Sequence, residues 1–261
     1  MVRALLAEIY KLRRARLTWI AALVLLAAPA LAATIVAAMS DPVRGEALGL
    51  TPELAETFGE PGWSMMFEAV SEILAGGFGL ILYPILAASL FVREYASGTM
   101  KVMLTLPVRR SALVVSKFIV LAGWIALLTA YLYAMSVGLL VLLVGMGPPS
   151  MAEAAHGAVL YAQVALLIYL GLSVPSLLAT FGKGYLPPMV FVGMTAVLSV
   201  ALANSVVAPY IVWMMPGAHT AATSIGEASP IGPLQWVLAV GTFAVGALAT
   251  WVRVRFFDAP R

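Results

Sequence analysis

The chain has 261 residues, of which 62% are hydrophobic and only 10% charged. Soluble domains average about 45–50% apolar and about 25% charged residues, so an ordinary soluble enzyme is excluded. The net charge of +3 comes from basic residues scattered among short loops, which gives no nucleic-acid-binding face, and the absence of cysteine removes disulfides, thiolate metal sites and cysteine nucleophiles.

Residues 1–16 read as an amphipathic helix. Val2, Leu5, Leu6, Ile9 and Leu12 fall on one face, while Arg3, Glu8, Lys11 and Arg14 fall on the other. Either this is an elbow lying in the membrane interface, or it is a simple basic flank that orients the chain. The first apolar stretch, 17–39, is longer than the 7–15 residues usual for a signal-peptide core, so an uncleaved first span is expected. After it, Thr51-Pro52-Glu53 supplies an N-cap, a proline at N1 and a first-turn acid, predicting a short helix.

The second stretch, 69–92, contains Gly76, Gly77, Gly79 and Pro84, which permit either close packing or a kink. In the following loop, 93–117, Gly98 can end the preceding helix and Thr99 can cap a new one. Met100, Val102, Met103, Leu104 and Leu106 then form a short apolar run that Pro107 stops, and Ser111 can cap the next helix. A short apolar helix in a basic loop needs either the membrane interface or a groove on a partner protein.

Further apolar stretches cover 118–144, 157–180, 186–207 and 234–252. Helices of these lengths can cross a hydrocarbon core about 30 Å thick at 1.5 Å per residue. Period-2 alternation is missing, which argues against a β-barrel. An all-α, six-span architecture in a single transmembrane domain is therefore expected. Between the last two stretches, 208–232 is apolar yet broken by Pro209, Pro216, Gly217, Gly226 and Pro230, which predicts short re-entrant or surface-lying helices. Irregular backbone at membrane depth needs protein cover or a water-filled cavity, so this segment is a candidate gate, with Pro209, Trp213, Met214 and Pro216 as its residues.

Fourteen of the fifteen Lys and Arg residues fall on one side of this arrangement, and only Arg44 falls on the other. The positive-inside rule makes the basic side cytoplasmic, with both termini inside a cell-membrane protein. The span interiors are read as free of ionisable residues, with Glu72 near an outer end, which disfavours an ion-coupled carrier. No GxxxxGK[ST] phosphate loop, HExxH or GxSxG occurs, so the chain is not expected to hydrolyse ATP or to act as an enzyme by itself. His156 and His219 stand far apart and are read as interfacial polar residues; no metal site is expected.

Glu8-Ile9-Tyr10-Lys11-Leu12-Arg13-Arg14 before the first span, then Arg93-Glu94-Tyr95, Gly98-Thr99, Lys101, Leu104, Pro107-Val108-Arg109-Arg110 and Ser116-Lys117, form a pattern. It resembles the ABC-2 type permeases, in particular their bacitracin and lantibiotic-immunity branch. The resemblance implies a six-helix membrane subunit that pairs with a second permease copy, alike or related, and binds two cytoplasmic ATPase subunits carrying ATP and Mg. It also implies a connecting elbow with Glu8, Lys11 and Arg14. Arg93, Glu94, Gly98, Thr99, Lys101, Leu104, Pro107 and Arg109 would couple it to the ATPase. The expected function is export of an amphipathic peptide, antibiotic or lipid-like substrate. A self-contained carrier or channel, or a scaffold or sensor subunit, is the alternative.

Overall fold

The computed structural model describes residues 2–47, 49, 60–96, 110–181, 184–203 and 205–256. Among them every regular element is helical. The chain opens with α1 (Val2–Arg14), which ends at extended Ala15. The end of α1 is closed from the next helix: Thr18 Oγ1 donates to the Leu12 carbonyl at 2.9 Å and Trp19 Nε1 to the Arg13 carbonyl at 3.1 Å. Helices α2 (Arg16–Leu25) and α3 (Ala27–Ser40) follow, separated at Leu26. Pro29, four residues after Leu25, has no N–H for that carbonyl, which accounts for the break.

A short α4 (Pro42–Ala47) starts at Asp41, whose carboxylate accepts from the Val43 N–H at 3.0 Å. The next run comprises α5 (Trp63–Ile73), one π-helical turn over Leu74–Phe78, and α6 (Gly79–Ala96). The π turn falls on Gly76 and Gly77, where the α-helix is least favoured. Helix α7 (Arg110–Val144) is 35 residues long, so Ser111, expected as its cap, lies inside its first turn. A capping box between Ser150 and Glu153 starts α8 (Met151–Gly171), six residues earlier than the apolar pattern alone predicts. After Leu172 comes α9 (Ser173–Phe181), then α10 (Leu186–Leu202), α11 (Met215–Ser224) and α12 (Pro233–Phe256). The helix predicted from Thr51-Pro52-Glu53 lies outside the described residues.

Among the described residues, five helical runs are long and apolar enough to cross a membrane: Arg16–Ser40, Trp63–Glu94, Ser111–Val144, Met151–Phe181 and Pro233–Phe256. Helix α10, with 17 residues, is shorter than the stretch 186–207 expected from the sequence, because turns replace the helix after Leu202. Between them they enclose Phe67, Tyr83, Leu121, Tyr161 and Leu172, all fully buried. Phe67 lies parallel to Tyr133 at 5.5 Å and edge-on to Tyr161 at 5.8 Å. The outward surfaces of α2, α7, α10 and α12 are apolar too, with Leu23, Leu142, Val200 and Val245 exposed, as suits a lipid-facing protein.

Helices α9 and α12 run in the same direction. Ser173 Oγ donates to the Thr242 carbonyl at 3.2 Å, and two turns further on Arg253 Nε donates to the Thr180 carbonyl at 3.3 Å. The chain between them must therefore travel back along their length, and α10 packs against both α6 and α9 on that route.

Candidate functional site

Helix α1, the expected elbow, departs from its amphipathic pattern at Glu8. Leu6, Ile9 and Tyr10 are exposed, whereas Glu8 is turned into the protein together with Leu12. Glu8 and Lys11, one turn apart on α1, meet Glu94 near the end of α6 and Lys117 two turns into α7. Lys11 Nζ lies 2.8 Å from both Glu8 Oε1 and Glu94 Oε1. Lys117 Nζ lies 3.2 Å from Glu8 Oε2 and 2.9 Å from Glu94 Oε1. It also donates to the Leu90 carbonyl at 2.6 Å.

Three of these four side chains are nearly dry, with exposures of 3% for Glu8, 8% for Glu94 and 4% for Lys117; Lys11, at 37%, closes the cluster toward solvent. Two carboxylates and two ammonium groups sum to zero charge, the condition under which such burial is tolerable. Burial alone would lower the Lys11 ammonium, but hydrogen bonds and charge from Glu8 and Glu94 outweigh it and hold its pKa above the ordinary 10.5.

The elbow residue Arg14 stays outside the cluster, exposed over the Tyr10 ring at 4.6 Å. Arg93 is exposed one residue before Glu94. Gly98, Thr99, Lys101, Leu104, Pro107 and Arg109 lie outside the described residues. The cluster stands at the root of that segment, because Glu94 and Lys117 flank it on either side. Lys117, which the sequence shows only as part of the ABC-2-like pattern and not as a coupling residue, belongs to the site because α7 starts at Arg110, two turns before it.

A second charged position lies at the far end of α5. Glu72, expected near the outer end of its span, is exposed and lies nine residues into the run that starts at Trp63, about 14 Å along a helix. It lines a cavity of about 350 Å³ with Gly76, Ser199, Trp213, Met214 and Thr220. Trp213 and Met214, two of the four gate candidates, therefore share this chamber. Pro209 instead sits in the 3₁₀ turn Ala208–Tyr210, and Pro216 is buried in the first turn of α11.

Helix α11 is anchored over the chamber by His219, which is buried rather than interfacial. Its Nδ1 is 2.7 Å from Ser229 Oγ and its Nε2 is 3.0 Å from Gln163 Oε1 on α8. Burial lowers the His219 pKa below its ordinary 6.5. Since Gln163 Oε1 can only accept, the neutral ring donates from Nε2 and accepts from the Ser229 hydroxyl at Nδ1. His156, by contrast, is half-exposed, with Nε2 4.0 Å from Glu68 Oε1. Among the described residues no group of His, Asp and Glu is placed to hold a metal ion.

Long apolar helices, an apolar outer surface and ionic groups buried at their roots define a multi-pass membrane protein. The chain belongs to the ABC-2 family of transporters: the model of that family, described as ABC-2 family transporter protein, matches residues 4–202. It is similar to the bacitracin transport permease protein BCRB of Bacillus licheniformis, with 27% identity over 187 residues, covering 69% of this chain and 85% of that protein. It is thus a membrane subunit of an ABC transporter, in a family whose members pair with an ATPase subunit and leave ATP hydrolysis to it.

Proposed function

We propose that this chain is the permease of an exporter that moves an amphipathic peptide, antibiotic or lipid-like substrate, driven by two copies of a separate cytoplasmic ATPase. A second permease copy, alike or related, completes the pathway. ATP and Mg bind the partner, and this chain supplies the moving membrane path. The observation that carries the reading is the four-charge cluster. It joins the elbow to both roots of the segment 97–109, so a push delivered to that segment reaches α1, α6 and α7 together. A ligand moves a two-state protein only through contacts that differ between its states, and a stiff root transmits such a difference.

In this reading α10 is the sixth crossing. At 17 residues it spans about 25 Å, the short end of the range for transmembrane helices. The parallel course of α9 and α12 supports it, because only a return crossing brings the chain back to the start of α12. Both termini are then on one side, and the basic residues of α1 and of the last turn of α12 make that side cytoplasmic. The turns and short helix between α10 and α12 form the outer gate.

The test is capture of the tagged chain from its native membranes in mild detergent. A stoichiometric companion with a phosphate-binding loop is the expected result. A homo-oligomer without an ATPase, in several detergents, overturns the reading in favour of a self-contained carrier. In the captured complex, Leu104→Asp is expected to leave membrane insertion intact and to uncouple ATP hydrolysis from transport; unchanged transport removes Leu104 from the coupling role.

A further inference from the structure

We propose that the chamber walled by α5, the π turn, α10 and α11 is a binding site for the ammonium head of an alkyl-bearing cation, with Glu72 as its counter-charge. The cavity lies about 33 Å along the Trp63–Ala96 run from Glu94, at the opposite end from the ion cluster. Glu72 lines it and, among the described residues, makes no ion pair and no hydrogen bond. One turn earlier on the same helix, Glu68 has His156 beside it. The Glu72 side chain is exposed, so its charge is open to a ligand entering the chamber, and ionisable groups within long apolar runs mark ligand or ion paths.

The other walls say which ligand. Ser199 is among the lining residues, and its Oγ is shielded from solvent and has no hydrogen-bond partner. Trp213 also lines the chamber; its N–H is given to the Gly171 carbonyl and its ring packs edge-to-face with Phe191, so what it offers a ligand is the part of the ring that Phe191 leaves uncovered. An aromatic ring and a carboxylate together favour an organic cation. Ala75, Leu80, Val200 and Met214 complete apolar walls suited to alkyl carbons.

A hard metal cation is poorly served, since it needs six or more oxygen ligands and the chamber offers one carboxylate and a few hydroxyls. An anion is repelled by Glu72. The volume of about 350 Å³ admits a headgroup and a short alkyl stretch, not a folded peptide. A larger groove of about 540 Å³ between α7 and α8 carries no charge, and the hydroxyls of Thr129, Tyr133, Tyr161 and Tyr169 on its walls are all engaged. The chamber is therefore the better built of the two. The family match ends at residue 202, so the wall supplied by Trp213 and Met214 lies beyond it.

This site deepens the reading of the chain as an exporter of amphiphiles and rests on that reading for its meaning as a cargo site. It is tested on the full chain alone, in nanodiscs of an uncharged galactolipid that carries no ammonium group, by calorimetric titration with decyltrimethylammonium and with uncharged decyl glucoside, each corrected for empty discs. The ammonium probe is expected to bind saturably and at least ten-fold more tightly than the glucoside. Glu72→Gln is expected to erase that preference. Ala203→Trp, which adds bulk to the chamber from an exposed position, is expected to weaken ammonium binding at least ten-fold with Glu72 intact. Equal affinity for the two probes, or an unchanged preference in both variants, overturns the proposal.

In discs containing phosphatidylethanolamine, a fall in ammonium affinity assigns the site to lipid headgroups, and an unchanged affinity assigns it to free amphiphiles. Since no ATPase takes part, a failure here leaves capture of the partner standing, and failure to capture a partner leaves this titration standing.

Discussion

The indole N–H of Trp213 donates to the carbonyl of Gly171 at 3.2 Å, and that carbonyl is the one Pro175 leaves without a helical donor. Pro175 interrupts the run between α8 and α9, and a residue 42 positions beyond Gly171 supplies the missing hydrogen bond. The contact depends on Gly171, where a Cβ would stand 3.1 Å from Trp213 Cδ1. Trp213→Phe, which keeps an aromatic ring against Phe191, is expected to destabilise the protein by about 1–3 kcal/mol through the stranded carbonyl. Pro175→Ala restores a backbone donor there. Thermal unfolding of the two single variants and the double variant is expected to show the Trp213 effect shrinking when Pro175 is absent.

The ion cluster predicts a different pattern. Lys117→Met removes one of the two ammonium groups that face buried Glu8 and Glu94, and the loss is expected to reach about 3–5 kcal/mol. Replacing Glu94 and Lys117 together by Gln and Met removes one charge of each sign and is expected to cost less than the sum of the single changes. Heat denaturation of the purified chain in nanodiscs measures both, and simple additivity would show that the two groups do not interact.

His219 makes stability depend on pH. Its pKa in the folded protein lies below the unfolded value of 6.5 because burial penalises the charged ring. In acid the unfolded chain therefore binds the extra proton more readily. The contribution of neutral His219 is complete above pH 6.5 and is lost as pH falls through the folded value. The thermal midpoint is expected to fall further between pH 8 and pH 5 in the native chain than in His219→Gln, and equal falls would exclude His219 as the source.

Packing around Phe67 gives a fourth expectation. A Cβ on Gly157 would stand 2.6 Å from carbons of the Phe67 ring, which is itself held between Trp63, Tyr133 and Tyr161. Gly157→Ala is expected to cost about 1–3 kcal/mol by overpacking. Adding Phe67→Leu, which makes room, is expected to recover part of that loss in the same thermal assay.

The long apolar runs were legible because hydropathy alone decides them, and their centres agree with the helices. Their ends were not, because ends depend on caps. Ser150 and Glu153 form a capping box that the sequence displays openly, as does the Asp41-Pro42 start of α4, yet an apolar pattern gives neither any weight. The orientation of the elbow was illegible for another reason. Amphipathic periodicity assigns the charged face to water, but Glu8 and Lys11 have opposite charges waiting on α6 and α7, and only tertiary structure brings those within 3.2 Å. Glu72 reads as lying near the outer end of its span, and the helix that carries it starts six residues before its apolar stretch, at Trp63. The chamber beside it joins residues 72 to 221 and leaves no local pattern.

The cluster at the root of the 97–109 segment also sets an order of birth. Glu8 leaves the ribosome 109 residues before Lys117, which at about 5–20 residues per second is a delay on the order of 5–20 s. During that interval the inward face of α1 has no ammonium from α7 to meet it. The elbow must wait in contact with water or headgroups, and it can seat only after the third long helix has been delivered to the membrane. Insertion of α7 is therefore the event that finishes the first helix of the protein.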